Sequence, residues 1–118
     1  MPGRISWSGR AVVAAVVCVS MVSAASAGVN ATGDVEPNNP STWTSNTYGY
    51  IGKTGTGSVT VGLGSGLLSY RGYLGYSSGS TGTATVTGPN ATWSNGDDLY
   101  VGREGAGTLT IEDGGQVS

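Results

Sequence analysis

Residues 43–69, WTSNTYGYIGKTGTGSVTVGLGSGLLS, are echoed fifty positions later by residues 93–118, WSNGDDLYVGREGAGTLTIEDGGQVS, and the two align without a gap. Identities fall at Trp43/Trp93, Tyr50/Tyr100, Gly52/Gly102, Gly55/Gly105, Gly57/Gly107, Thr60/Thr110 and Gly64/Gly114. Most differences keep the chemistry, as in Ile51/Val101, Lys53/Arg103, Val59/Leu109 and Val61/Ile111. Biased composition alone does not hold aliphatics, aromatics and glycines in separate registers.

A looser third copy lies between them. Tyr73, Leu74 and Gly75 repeat the Tyr-aliphatic-Gly signature, and Gly82 to Val86 repeats the Gly-hydroxyl-aliphatic-Thr-aliphatic signature. Tyr50, Tyr73 and Tyr100 are therefore 23 and then 27 residues apart, a spacing at which one repeat makes one coil of a repeat protein. Within each copy the apolar residues alternate at period two, the signature of a half-buried strand. Val59 and Val61, Ala84 and Val86, and Leu109 and Ile111 share one face, with Thr60, Thr85 and Thr110 on the other. By the same alternation Leu99 and Val101 point one way and Tyr100 the other, and by register so do Tyr50 and Tyr73. The glycines in GKTGTG, GYSSGSTG and GREGAG permit the positive φ of a sharp corner between strands.

A single coil of this kind cannot bury its own apolar face. Stacking coils about 4.8 Å apart puts like over like and satisfies each backbone through its neighbours. The expected fold is all-β: a right-handed parallel β-helix, or β-solenoid, of about three coils over residues 43–118. The isolated body is expected to be marginal, stabilised by further coils or by self-association through the solenoid ends.

The Trp, Tyr-aliphatic-Gly and Thr-flanked aliphatic motifs, in this order, resemble the glycine-rich repeats of bacterial autotransporter passengers and of surface proteins with PEP-CTERM sorting tails. The resemblance covers residues 43–118 and implies a parallel β-helix on or outside the cell envelope. The sequence carries no outer-membrane barrel and no Pro-Glu-Pro tail after the repeats, so it reads as a truncated member or as a fragment of a larger passenger.

The N-terminus points to the same destination. MPGRISWSGR carries Arg4 and Arg10 and no acid, AVVAAVVCVSMV is uncharged and apolar, and SAASAG supplies small residues. That is the layout of a secretory signal peptide whose apolar run falls short of the roughly 20 residues of a membrane span. Ala25 and Ala27 fit the cleavage rule, which places processing after Ala27. A lipoprotein would need Leu and small residues before Cys18, where Ala15, Val16 and Val17 stand. Residues 28–42 read as a flexible lead-in. The chain's single cysteine lies in the leader, so the processed chain has neither a disulfide framework nor a thiolate metal site. Beyond Ala27, three cations (Lys53, Arg71, Arg103) face seven carboxylates, a formal charge of −4. Such a surface repels nucleic acid and anionic headgroups, and membrane insertion of the processed chain is not expected.

Chemical sites are sparse. GKT at 52–54 lacks the earlier glycine and the following helix of a phosphate loop. The acids Asp97, Asp98, Glu104, Glu112 and Asp113 lie at turns, with no histidine in the chain and no facing pair of the kind glycoside hydrolysis needs. EDGG and NGDD offer oxygen ligands to calcium, but Gly62 and Leu63 replace Glu112 and Asp113 in the earlier copy, so no ladder of sites exists. No catalytic, cofactor or metal residue is assigned. Asn30 and Asn90 head NAT sequons that matter only in a glycosylating host. Trp43 and Trp93 are placed in the core or at the corner opening each unit.

The surface feature singled out is the outward row Tyr50, Tyr73 and Tyr100. Stacked aromatics pack on one another and cover the strands, or offer faces to a cell-surface polysaccharide or a partner protein. The expected function is a non-enzymatic, exported structural or adhesive protein of a bacterial surface. The alternatives are part of a carbohydrate-active β-helix enzyme, a lyase or hydrolase, and a self-assembling glycine-rich matrix protein.

Overall fold

The computed structural model describes residues 27–118 together with the strand placements of Ala11–Val13 and Val16–Val19. Most of the leader reading, at residues 1–10, 14–15 and 20–26, lies outside the described residues. The chain is all-β, with two mixed sheets and one parallel sheet. Its strands are β1 (Ala11–Val13), β2 (Val16–Val19), β3 (Val29–Gly33), β4 (Val35–Glu36), β5 (Tyr48–Ile51), β6 (Thr56–Val61), β7 (Gly66–Ser69), β8 (Arg71–Leu74), β9 (Thr81–Thr87), β10 (Thr92–Asn95), β11 (Leu99–Val101), β12 (Ala106–Glu112) and β13 (Gln116–Val117). A short 3-10 helix, η1 (Pro40–Thr42), precedes β5.

From β5 to β13 the chain makes three passes, each contributing one strand to each of three sheets. The orders are β1-β11-β8-β5-β4, β2-β12-β9-β6-β3 and β13-β10-β7. Successive passes pair in parallel without slippage. Val59 lies opposite Ala84 and Ala84 opposite Leu109, while Val61, Val86 and Ile111 form the neighbouring column. These columns point inward: Val59, Val61, Ala84, Val86 and Leu109 are buried, with Ile111 half-buried. Leu99 and Val101 are buried and Tyr100 faces the other way. The alternation read from the sequence therefore gives the correct faces. The corners also behave as expected, with Gly52, Gly75 and Gly102 at φ of 74°, 74° and 82°.

Two features depart from the expectation. Each pass has a third strand, β7, β10 or β13, beyond the two segments whose patterns were read above. And residues 28–42, read as a flexible lead-in, build a floor under the first pass. β3 pairs antiparallel with β6 and β4 antiparallel with β5, while Val35 and Pro40 are buried. The reason is an edge: without this floor the outer backbone groups of β5 and β6 and the inward faces of Ile51, Val59 and Val61 would meet water.

Trp43 and Trp93 are interior, not corner, residues. Trp93 is fully buried in β10, opposite Leu67 below and Val117 above. Its Nε1 donates to Ser69 Oγ at 3.0 Å, and that hydroxyl donates to Asn95 Oδ1 at 2.6 Å. This satisfies a polar cluster that would be costly if left unpaired. Trp43 packs against Gly49 at the floor and donates from Nε1 to the Pro37 carbonyl at 2.9 Å. Interior glycines make room for these rings: Gly49 faces Trp43, Gly72 faces Trp93, and in the third pass Leu99 replaces glycine where no indole is present. Among the described residues no helix is long and apolar enough to cross a membrane.

Candidate functional site

β5, β8 and β11 place Tyr50, Tyr73 and Tyr100 at the same register position, because Tyr50 pairs with Tyr73 and Tyr73 with Tyr100. Strand spacing then fixes ring spacing. Tyr50 and Tyr73 stack at 4.9 Å with an interplanar angle of 11°, and Tyr73 and Tyr100 at 5.0 Å and 3°. A fourth ring, Tyr76 from the longer corner GYSSGSTG, sets its plane nearly perpendicular to Tyr50 and Tyr73, at 82° and 85° with centroids 4.9 and 5.0 Å away. Edge-to-face and offset contacts of this kind add about 0.5–1.5 kcal/mol per pair beyond burial.

The consequence is that Tyr73, outward by register, is only 6% exposed. Its two faces are covered by Tyr50 and Tyr100, so the middle of the row has no ring face left for a sugar. Cations occupy the flanks. Lys53 Nζ sits 4.6 Å from the Tyr50 centroid and binds Glu36 Oε1 at 3.0 Å, and Arg103 lies 4.8 Å from the Tyr76 centroid. Burial, followed by the neighbouring phenols Tyr76 and Tyr73, raises the Tyr50 hydroxyl above its usual range. The Tyr100 hydroxyl donates to Asp98 Oδ2 at 2.7 Å, and this bond, followed by burial, raises its pKa as well.

A second aromatic patch adjoins the row and was not singled out from the sequence. Tyr48, 46% exposed, meets Tyr70 at 5.5 Å with the rings tilted by 45°. The Arg71 guanidinium lies 5.9 Å from each ring, and its Nε donates to Asp97 Oδ2 at 2.7 Å. Tyr48 and Arg71 pair in register, as Tyr50 and Tyr73 do, which is the signal that could have found the patch.

The acids do not converge. Asp97 pairs with Arg71, Asp98 is buried beside Tyr100, and Asp113 accepts from Thr87 Oγ1 at 3.5 Å. Among the described residues no three His, Cys, Asp or Glu side chains are grouped as a metal would require. Both sequon asparagines are exposed, Asn30 on β3 and Asn90 in a turn at φ 62°. Ala27, the residue before the expected cleavage, is exposed, and the Gly28 N–H that follows donates to Ser65 Oγ at 2.6 Å. Comparison of the chain with protein-family models, with curated proteins and with solved structures finds no match.

Proposed function

We propose that the chain is an exported, non-enzymatic parallel β-helix of three right-handed coils, a stalk-like or adhesive element of a bacterial cell surface. The observation that carries the reading is the unbroken like-over-like register of three passes, with inward aliphatic columns and an outward tyrosine column. A body built this way extends by repetition and presents long regular faces, as surface stalks require. The engagement of the carboxylates favours a structural role over catalysis. Asp97 is held by Arg71 and Asp98 by Tyr100, so neither is placed as one of two opposed acids across a cleft. Export is supported by the leader composition and by the exposed Ala27.

Cell-surface polysaccharide is the partner class this reading favours. With the faces of Tyr73 occupied, the exposed Tyr48, with the half-buried Tyr70 and the Arg71–Asp97 pair beside it, offers what remains: an open ring and charged hydrogen-bonding groups.

The test is expression of the chain in a Gram-negative host, followed by fractionation and N-terminal sequencing. A product outside the inner membrane that begins at Gly28 is expected. Retention of an uncleaved chain in the cytoplasm would remove the basis for a surface role. Retention of the purified product on cell-surface polysaccharide is expected to fall on Tyr48→Ala with the β signal unchanged.

A further inference from the structure

The two ends of the stacked passes are closed differently. At the floor, β4 covers β5, β3 covers β6, and Trp43 and Pro40 are buried, all from residues that follow Ala27. At the other end, β11 and β12 are covered by β1 and β2, with Val13 in register on Val101, Val16 on Leu109 and Cys18 on Ile111. β13 pairs with β10 alone. Both covering strands come from the run read above as a removable leader. Cleavage after Ala27 would remove these partner strands and leave the upper backbone edges of β11 and β12 unpaired within residues 28–118.

We infer that this upper edge is a strand-accepting surface, covered in the full chain by the N-terminal apolar run and, once that run is removed, by the same edge of a second copy. This rests on the leader reading. An uncovered row of N–H and C=O groups beside apolar side chains pairs with any strand of matching pattern. The floor demonstrates that an end of this body accepts antiparallel partners, since β3 and β4 both run against the strands they cover. A two-fold axis through the middle of β12 lays that strand antiparallel to its own copy near Leu109 and brings β11 against β13 of the other chain. With the floor closed by its own residues, the contact is isologous, and the product is a dimer rather than a fibre.

The test uses the full chain in the analytical ultracentrifuge. The wild type is expected to sediment as a monomer. Val12→Pro with Val17→Pro removes donors from β1 and β2 and unseats them without touching residues 27–118, and this variant is expected to enter a concentration-dependent monomer–dimer equilibrium. Adding Ile111→Lys, which places a charge in the contact but at the open end of the monomer, is expected to return it to monomer with the far-UV circular dichroism unchanged. The inference is overturned if the proline variant stays monomeric, if the wild type dimerises to the same extent, or if association survives Ile111→Lys or proceeds past the dimer. An uncleaved product in the export experiment would sink the leader reading alone, because the ultracentrifuge tests the edge whether or not processing occurs.

Discussion

A Cβ added to Gly72 would stand 2.8 Å from Cζ2 of Trp93, and 2.7 Å from Cδ1 of Leu99. The glycine and the indole are thus one volume divided between two sheets. Gly72→Ala is expected to destabilise by about 1–3 kcal/mol through overpacking, and Trp93→Ala by about 3–5 kcal/mol through the cavity it leaves. The third pass holds the alternative division, Leu99 with Val117. Gly72→Leu combined with Trp93→Val should therefore cost less than the sum of the single changes. Urea denaturation of the four proteins measures the coupling.

The tyrosine ladder leads to an expectation at high pH. Tyr50 and Tyr100 both have raised pKa values, Tyr50 chiefly from burial and Tyr100 chiefly from its bond to Asp98. A folded value above the unfolded one favours the neutral form in the fold. That contribution is complete below about pH 10, the usual tyrosine value, and is lost as pH rises through the folded value. Ultraviolet titration should find tyrosinate forming later in the folded chain than in urea, with Tyr100→Phe removing part of the delay. At neutral pH Tyr100→Phe is expected to cost about 1.5–3 kcal/mol, the worth of a hydrogen bond to a charged group.

What the sequence made legible follows from how many inward residues each strand carries. β6, β9 and β12 each alternate two aliphatics with threonine, and β5, β8 and β11 each carry the Tyr-aliphatic-Gly signature, so the sequence alone assigns their faces. β7 and β10 each bury a single large side chain, Leu67 or Trp93, and β13 partly buries Val117, and one residue has no period. The floor strands β3 and β4 were hidden because VNATGDVEP is polar and turn-like, and its pairing depends on the edge it covers. Asp98 looked like a solvated turn acid, yet lies 1% exposed, on the side of Tyr100, whose hydroxyl donates to its carboxylate. Tyr76 belongs to the corner that is two residues longer than its counterparts, and the folding of that corner brings it onto the ladder.

Corner glycines separate backbone strain from crowding. Gly75 has φ 74°, and a Cβ there would run into the Ala106 carbonyl. Gly64 has φ 69° with open space where its Cβ would be. Gly64→Ala is expected to cost about 1–2 kcal/mol, the left-handed penalty alone. Gly75→Ala should cost more, because the pairing of β12 with β9, Ala106 opposite Thr81, holds the clashing carbonyl in place. Thermal melts of the two variants test the order.

Asp34 closes the floor in a way that can be titrated. In the second pass the Ser77 N–H donates to the Lys53 carbonyl below it, and in the third the Gly105 N–H donates to the Gly75 carbonyl. The corresponding donors of the first pass, Thr54 and Gly55, have no corner beneath them, and both donate to Asp34 Oδ2 at 2.8 Å. The carboxylate stands in for a missing coil. These two N–H groups, Thr54 first, hold the Asp34 pKa below its ordinary value of 3.8. A depressed folded value stabilises the fold above the unfolded pKa, and that stabilisation disappears as pH falls through the folded value. At neutral pH Asp34→Asn, which keeps a carbonyl acceptor without the charge, is expected to lose about 1 kcal/mol, and Asp34→Ala more, since two donors are then left to water. The gap between wild type and Asp34→Asn should stay constant above about pH 4 and close at lower pH. Both proteins share every other carboxylate, so denaturation curves of the pair from neutral to acid pH isolate this one, and a gap independent of pH would mean that charge at Asp34 contributes nothing to the floor.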